Sequence, residues 1–381
     1  MPLDFEQGPI RPPSEARSLL VRVTRGCPWN RCDFCPVYKN EKFSVRGVEE
    51  IRRDIDTVRD MVGRLREISW GAGLAGRIDR RLAQSILEDP ACSESFRSVA
   101  LWVYYGMESA FLQDANSLVM KTADLVAVVR HLKESFPEIR RITSYARSQT
   151  LARTPVEALR SLREAGLDRI HVGLESGSDS VLSDVRKGTT AAQQVEGGRR
   201  VIAAGIELSE YVMPGLGGKL LSREHALETA RVLNAINPDF IRLRSLALPQ
   251  ATRLRERWEA GEFERLSDEE IVREIRLFVQ HLEGITSHLA SDHVLNLLEE
   301  LEGRLPEDKL RLLEAIDRFL ALPSEERMLF QLGRRIGLFR SQADLEHPGL
   351  RARAQAVREQ LGADSQEELE EKIRSLTERF V

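Results

Sequence analysis

The chain has 381 residues, of which 42% are hydrophobic and 30% charged, and its formal net charge is −4 at pH 7. A chain of this length can bury a full core in one large or two ordinary domains. Its weakly acidic balance gives no clear signal for nucleic-acid binding, and no run approaches the roughly 18 apolar residues of a membrane span. The first residues lack the basic and apolar regions of a signal peptide, so we expect a cytoplasmic protein.

The first predicted strand, 19–23, leads into a loop that holds three of the four cysteines, Cys27, Cys32 and Cys35. Cysteine thiolates are the usual ligands of iron–sulfur clusters, and three on one loop can hold three irons of a [4Fe–4S] cluster. The fourth iron is then available for chemistry. A structural zinc site is the alternative, but it requires four ligands in closely spaced pairs. Because Cys92 lies in a distant segment and no histidine stands near the loop, we predict a cluster rather than zinc or a disulfide framework.

The loop resembles that of the radical S-adenosylmethionine (radical SAM) superfamily, usually written Cys-x3-Cys-x-Φ-Cys with an aromatic residue at Φ. Phe34 occupies the aromatic position, and the resemblance implies that it packs beside the adenine of SAM. Four residues, not three, separate Cys27 from Cys32, so the motif here is Cys-x4-Cys-x2-Cys. Pro28 and Asn30 supply turn chemistry for the longer loop. The resemblance extends to the coproporphyrinogen-dehydrogenase-like and Elongator-type group of this superfamily.

After the loop, short apolar and β-branched runs alternate with amphipathic stretches. Six strands are predicted, at 19–23, 110–112, 141–144, 169–172, 206–211 and 240–243. Helices are predicted at 45–65, 122–136, 155–165 and 222–236, with two more between 173 and 204. This spacing is typical of βα units and a parallel sheet, and the resemblance implies an α/β fold, a partial (β/α)6 TIM-type barrel. Residues 1–250 are the predicted radical SAM core, with a helical insertion at about 67–106.

Polar residues at the carboxyl ends of the predicted strands are candidate cofactor contacts, because barrel enzymes place their chemistry there. Gln113 and Asp114 follow the second strand, where the superfamily usually has a Gly-Gly-Glu-like turn for the amino group of SAM. The glycines are absent, but either side chain can accept a hydrogen bond from an ammonium. A turn capped by Asp114 is the alternative. Arg147 follows the third strand and is either a clamp for the methionyl carboxylate or a surface residue of the next helix.

The next two strand ends carry small residues and glycines. Glu175 and Ser176 stand where related proteins contact the ribose or methionine of the cofactor, whereas Ser178 is predicted to be a helix N-cap. Gly215 lies in a glycine cluster that resembles the Gly-Leu-Pro-Gly turn of many superfamily members, in which backbone amides reach the adenosine. A turn without a ligand also explains such a cluster. His225 is predicted to be a packing or surface residue.

The region around the cysteine loop is basic. Residues 22–46 contain six Arg or Lys and two Asp or Glu. This charge is predicted to stabilise an anionic, thiolate-ligated cluster. An anionic substrate and a solvated surface are the other interpretations.

Beyond residue 250 the sequence consists of charged amphipathic stretches without strand signals, which predicts a helical C-terminal region at 251–381. Helices are predicted at 263–282, 307–320, 324–338 and 365–380. Between the first two, Asp292 and His293 are candidate substrate contacts, and helix capping by Ser291 or Asp292 is the alternative. We expect this stretch to close the open side of the barrel as a lid.

The resemblance implies an enzyme with two cofactors, a [4Fe–4S] cluster and S-adenosylmethionine. The expected reaction is reductive cleavage of SAM at the cluster to a 5′-deoxyadenosyl radical, which acts on a small-molecule substrate that the sequence does not identify. An electron donor of the flavodoxin or ferredoxin type is the expected partner. The alternative is a cluster-containing chaperone or binding protein on the same fold that handles a cofactor such as haem.

Overall fold

The computed structural model describes residues 3–362 and 366–377, in which strands and helices alternate as far as β8. The strands are β1 (Leu19–Arg22), β2 (Thr24–Arg25), β3 (Ser44–Val45), β4 (Ser109–Gln113), β5 (Arg141–Ala146), β6 (Leu167–Glu175), β7 (Glu207–Val212), β8 (Phe240–Leu243), β9 (His288–Ala290) and β10 (Glu302–Arg304). The α-helices are α1 (Val48–Gly71), α2 (Arg80–Glu88), α3 (Glu94–Tyr104), α4 (Thr122–Ser135), α5 (Ser148–Leu151), α6 (Val156–Ala165), α7 (Asp179–Asp184), α8 (Ala191–Ala203), α9 (Gly218–Ile236), α10 (Arg253–Glu259), α11 (Asp268–Gln280), α12 (Lys309–Ala321), α13 (Ser324–Arg335), α14 (Pro348–Leu361) and α15 (Gln366–Thr377). The six predicted strands are β1 and β4 to β8, with ends within three residues of the prediction.

The chain divides into two compact units. The first consists of Met1–Asn30, Val37–Val172 and Gly197–Leu208. In this unit β1, β4, β5 and β6 are neighbours and run parallel. Because side chains alternate between the two faces of a strand, the register places Phe111, Thr143 and the pair Tyr145 and His171 on one face.

Helix α1 shows how the first unit builds its core. Its buried residues recur every three or four positions and are Ile51, Ile55, Val58, Met61, Val62, Leu65 and Ser69. This period puts an apolar stripe along one side of the helix. The stripe packs beside β1 and α4, and α4 in turn contacts α6. The helices thereby bury the sheet, as parallel sheets require.

The second unit consists of Arg31–Pro36, Gly173–Glu196 and Ser209–Val381. Strands β7, β8 and β9 run parallel, and β10 is antiparallel to β9. Helix α9 packs on α11, and α11 packs on α12. In each unit the strand order is that of successive βα units, and the predicted α/β fold class with partial (β/α)6 barrel order is confirmed.

The region beyond residue 250 is mostly helical, but β9 and β10 correct the prediction that it contains no strands. An unpaired edge of β8 would expose its backbone groups, and β9 pairs with that edge. Three-residue strands are too short for alternation to be visible in the sequence. Helices α10 and α14 were also not predicted. The ends of the predicted helix 365–380, at 365 and 378–380, lie outside the described residues.

Within residues 3–362 and 366–377, no helix combines the length and the apolar character needed to cross a bilayer.

Candidate cofactor site

The first part of the cysteine loop belongs to the first unit. Strands β2 and β3 pair antiparallel and close the base of the loop, and Gly26 enters it at φ +74°. The Sγ of Cys27 accepts a hydrogen bond from the backbone N–H of Asn30 at 3.5 Å. Backbone donors to sulfur are among the contacts that tune cluster thiolates. The Asn30 side chain donates to the carbonyl oxygen of Tyr38, which fixes the turn.

The second part of the loop belongs to the second unit, where Asp33 anchors it. Asp33 stands between Cys32 and the third cysteine and is 2% exposed. Its backbone N–H donates to Val185 O at 3.0 Å, and its carboxylate accepts from Nε of Arg186 at 2.6 Å. The Cys32 Sγ lies 4.0 Å from the carbonyl oxygen of Lys187. The turn between α7 and α8 therefore holds this half of the loop.

The thiols of the loop fit a cluster by their chemistry. Within residues 3–362 and 366–377, no group of three or more His, Cys, Asp and Glu side chains has the arrangement of a metal site. Cys27, Cys32 and Cys35 are partly exposed and not in disulfides, which is the condition under which thiolates react and bind metal. Cys92 is also partly exposed and not in a disulfide, and burial together with the nearby charge of Asp89 raises the pKa of its thiol.

Glu175 and Lys187 form an ion pair beside the cysteine loop. The Lys187 Nζ lies 2.9 Å from Glu175 Oε1 and 5.6 Å from the ring centroid of Phe34. Glu175 ends β6 with φ +63°, a left-handed conformation that is uncommon outside glycine and that clusters at ligand sites. A Cβ at Gly173 would lie 2.2 Å from Glu175 Oε1, so the pair requires glycine there. The sequence analysis did not identify Lys187, which stands in a turn without a motif.

Glu210 on β7 lies close enough to Glu175 and Lys187 to interact electrostatically. Burial raises the pKa of Glu210 well above its usual value, the negative charge of Glu175 raises it further, and Lys187 opposes both. Among the described residues, Glu210 Oε2 has no hydrogen-bond partner. Burial therefore favours the neutral form of Glu210, and Glu175 pairs with Lys187.

Gln113 and Asp114 after β4 are both engaged inside the first unit. The Gln113 amide accepts from Gly8 N–H at 2.8 Å and donates to Ile10 O at 2.7 Å. Asp114 is fully buried and accepts from Nε of Arg22 at 2.7 Å. Burial raises the pKa of Asp114, while the Arg22 charge opposes the increase. Gln113 thereby tethers the N-terminal segment, and Asp114 forms a buried ion pair.

Arg147 contacts the cysteine loop itself. Its guanidinium carbon lies 5.2 Å from the ring centroid of Trp29, which stands between Cys27 and Cys32. Its backbone N–H donates to Asn116 Oδ1 at 3.3 Å, and the residue precedes α5. The first unit therefore brings the predicted carboxylate clamp to the loop.

Three of the six basic residues around the loop pair with carboxylates. Arg22, Arg25 and Arg46 form ion pairs with five acidic side chains, Glu6, Glu41, Glu50, Asp54 and Asp114. Glu41 lies within residues 22–46, whereas the other four acids lie outside that range and do not enter the charge count of the sequence.

Ser176 and Gly215 are held by buried side chains of the second unit. Ser176 is fully buried, and its Oγ lies 2.8 Å from His225 Nδ1 and accepts from Ser178 N–H at 3.1 Å. Gly215, at φ +90°, donates its N–H to Glu274 Oε1 at 2.6 Å. Neither group points freely to a ligand. Ser178 caps α7 as predicted.

Asp292 and His293 lie in a segment fixed to the carboxyl end of β8. Asp292 pairs with Arg242 of β8. The pKa of His293 is lowered to about 4, chiefly by burial and also by the charge of Arg244, while the charge of Asp292 opposes the decrease. The Asn296 side chain accepts from Ser245 N–H and donates to the β8 end, both at 2.8 Å. No helix begins between 281 and 308, a stretch described in full, so helix capping by Ser291 or Asp292 is excluded.

Similarity to known proteins was examined at the levels of sequence and structure. A family model described as the Radical SAM superfamily matches residues 21–230, more than half of the chain. An uncharacterised protein of Methanocaldococcus jannaschii is 23% identical over 149 residues, which are 39% of this chain and 46% of that protein.

Several solved structures also resemble the chain. Elp3 of Methanocaldococcus infernus is 15% identical with a TM-score of 0.40, covering 49% of this chain and 48% of its own. Methylornithine synthase (PylB) is 15% identical with a TM-score of 0.41, and the match covers 79% of this chain and 73% of PylB. HydG, a maturase of the [FeFe]-hydrogenase, is 15% identical with a TM-score of 0.43, and the match covers 94% of this chain and 80% of HydG. The chain spans less than half the length of the M. jannaschii protein and of Elp3. By the family match, the chain belongs to the radical SAM superfamily of enzymes, whose cofactors are a [4Fe–4S] cluster and S-adenosylmethionine.

Proposed function

We propose that Cys27, Cys32 and Cys35 bind a [4Fe–4S] cluster and that the chain binds SAM at the open iron. The observation that carries this proposal is the three-thiol loop, which lies within the part of the chain that matches the superfamily. When bound, the reduced cluster supplies the electron that cleaves SAM to methionine and a 5′-deoxyadenosyl radical, which acts on the substrate. The chain itself holds the cofactors, orients the sulfonium and excludes water.

Two charged side chains support the proposal of a SAM site, Arg147 in the first unit and Glu175 in the second. Arg147 stacks on Trp29 of the cysteine loop, and we propose that its guanidinium binds the methionyl carboxylate. Glu175 has a strained backbone and a cationic partner that a ligand can replace, and we propose that it contacts the ribose or the methionine. Phe34 stays the proposed neighbour of the adenine.

The other predicted contacts have supporting roles in this proposal. Gln113 and Asp114 stabilise the turn after β4 through their internal bonds. Ser176 and Gly215 shape the turns after β6 and β7, because their polar groups already have partners.

The segment that carries Asp292 and His293 is proposed to contact the substrate. Asn296 fixes this segment to the carboxyl end of β8, and barrel enzymes place their chemistry at such strand ends. The functional division into a core of residues 1–250 and a C-terminal region that covers the site stays part of the proposal. An electron donor of the flavodoxin or ferredoxin type is the proposed partner.

A cleavage assay tests the proposed function. The protein is reconstituted anaerobically, reduced with dithionite and incubated with SAM, and 5′-deoxyadenosine is quantified. We expect its formation to require the reductant and to be lost in Cys32→Ala, whereas Cys92→Ala matches the wild type. A protein with full cluster content that forms no 5′-deoxyadenosine contradicts the proposal. If that protein binds haem instead, the chaperone alternative is favoured.

A further inference from the structure

A buried cluster of polar side chains in the second unit lies between two strand-end turns and helix α11. It consists of Ser176 after β6, His225 on α9 and Glu274 on α11, which are 0%, 1% and 5% exposed. The Ser176 Oγ lies 2.8 Å from His225 Nδ1. His225 Nε2 lies 3.6 Å from Glu274 Oε1. Glu274 Oε1 then accepts from Gly215 N–H after β7 at 2.6 Å.

The Ser176 Oγ accepts from Ser178 N–H, and its hydrogen bond with His225 Nδ1 can run in either direction, depending on the imidazole tautomer. The other imidazole nitrogen, Nε2, faces Glu274. Glu274 also accepts from Ser222 Oγ at 2.5 Å through its other oxygen. A cavity lined mostly by apolar side chains, with His225 and Glu274 among its lining residues, lies beside this wider gap.

The arrangement of these three side chains is that of a nucleophile, a base and an acid, but it is closed to substrate. Ser176 is fully buried, and its turn is pressed on α9, since a Cβ at Gly177 would lie 2.4 Å from Glu228 O. The Gly177 N–H donates to Thr229 Oγ1 at 2.9 Å. The three side chains Ser176, His225 and Glu274, called the relay below, therefore position the residues around them and do not react with substrate.

The two turns at its ends are directly connected as well. The Met213 N–H, at the start of the second turn, donates to the Glu175 carbonyl oxygen at 2.9 Å. Glu175 is the proposed SAM contact next to Ser176. Glu274 thus bonds to Gly215 of the turn after β7 and faces His225, which in turn bonds to Ser176 of the turn after β6.

We infer that His225 and Glu274 are positioning residues for the SAM site, by which helix α11 of the C-terminal region sets the geometry of the turns after β6 and β7. This inference rests on the proposed function, because it assigns those two turns to the cofactor. It also makes cofactor affinity depend on a helix outside the matched range 21–230.

Two conservative variants separate the halves of the relay. The amide of His225→Asn takes the place of Nδ1 and retains the contact with Ser176, whereas that of His225→Gln takes the place of Nε2 and retains the contact with Glu274. Glu274→Gln keeps an acceptor for Gly215 but changes the charge opposite His225. His281→Ala, at the exposed end of α11, is the matched control.

The first readout is amide hydrogen exchange of the cluster-free chain. We expect His225→Ala to accelerate exchange at both Ser178 and Gly215. His225→Asn should protect Ser178 alone and His225→Gln should protect Gly215 alone. Unchanged exchange at both amides in His225→Ala overturns the relay, and it does so whether or not the chain binds SAM. If His225→Ala does not fold, the two conservative variants decide the question.

The second readout is SAM binding by calorimetry on the reconstituted protein. We expect His225→Ala and Glu274→Ala to weaken binding by about tenfold, the equivalent of one hydrogen bond, while iron content and His281→Ala match the wild type. Affinity within about twofold of the wild type, together with faster exchange, shows a purely structural role and overturns the inference. Failure of the wild type itself to bind SAM instead contradicts the proposed function.

Discussion

The turn after β4 and the turn after β6 carry similar acidic signatures, but the protein uses them differently. Asp114 is fully buried with Arg22, which is 12% exposed, and the neighbouring Gln113 holds the N-terminal segment. Glu175 and Lys187 are 12% and 13% exposed and lie beside the second half of the cysteine loop. The first acid is therefore part of the core, whereas we propose that the second exchanges its partner for a ligand. Under this proposal the partner of a strand-end carboxylate, and not its position in the motif, decides which role it has.

The largest expected effect is that of replacing the thiols, because the proposed SAM site requires that the cysteine loop first binds a cluster. Replacing Cys27, Cys32 or Cys35 with Ala should abolish the visible absorbance of the reconstituted cluster, because three thiolates are the minimum set for three irons. About four irons and four sulfides per wild-type chain are expected. Cys92→Ala is the control, and loss of the cluster in that variant would show a closed, four-thiolate site.

The next largest effect distinguishes the buried pair after β4. Arg22→Met should lower the free energy of unfolding by about 3 kcal/mol, because it leaves a buried carboxylate uncompensated. Asp114→Asn should cost only about 1 kcal/mol, since it removes the charge but keeps a hydrogen-bonding group. Urea denaturation measures both.

The pH dependence of Arg22→Met provides a second check on that pair. The folded-state pKa of Asp114 is raised by burial, so ionisation costs stability once the pH exceeds the unfolded value, near 3.8. Without Arg22 the cost of ionising Asp114 is larger. The loss of unfolding free energy in Arg22→Met should therefore be greater at about pH 8 than at about pH 4. An equal deficit at both values would mean that Asp114 is not the group left unpaired.

Variants of Glu175 at the end of β6 and of Arg147 after β5 should change binding and not folding. Glu175→Ala and Arg147→Ala should each weaken SAM binding by about 1.5–3 kcal/mol, the range of a hydrogen bond to a charged group, with unchanged cluster content. Calorimetry measures the affinity, and Glu164→Ala on the exposed side of α6 is the control. Wild-type affinity in both variants would remove the distinction between the turns after β4 and β6.

A pH-dependent effect is expected at His293 after β8, which is half-buried and lacks an ion pair of the kind found at Asp114. Its folded-state pKa of about 4 lies below the model-peptide value of 6.5. Above pH 6.5 neither state binds the proton, so stability is intact, and it falls as the pH drops from 6.5 towards 4. His293→Asn should reduce this loss by about 2 kcal/mol. Thermal unfolding measured across that pH range tests this prediction, with His281→Asn as the control. If His293→Asn loses as much stability at low pH as the wild type, His293 is not the group responsible.

Local sequence patterns were sufficient for the βα units and the cysteine loop. Apolar, β-branched runs identified β1 and β4 to β8 because burial on both faces leaves a continuous apolar signal. Such runs did not identify β9 and β10, which have no periodic pattern of their own. Strand β9 pairs with the edge of β8, and β10 pairs with β9. The three thiols were identifiable because their spacing alone allows them to meet on one loop.

The sequence by itself thus determined the order of elements and the superfamily resemblance, and it predicts the thiolate donor set, since each depends on residues near one another in the chain. Only the tertiary structure decided the roles of the polar strand ends, because their partners come from far away. Arg22 lies 92 residues from Asp114, and Glu274 lies 59 residues from Gly215. Whether a buried group is satisfied depends on such long-range contacts, which is why Lys187 and the His225–Glu274 relay were visible only in the folded chain.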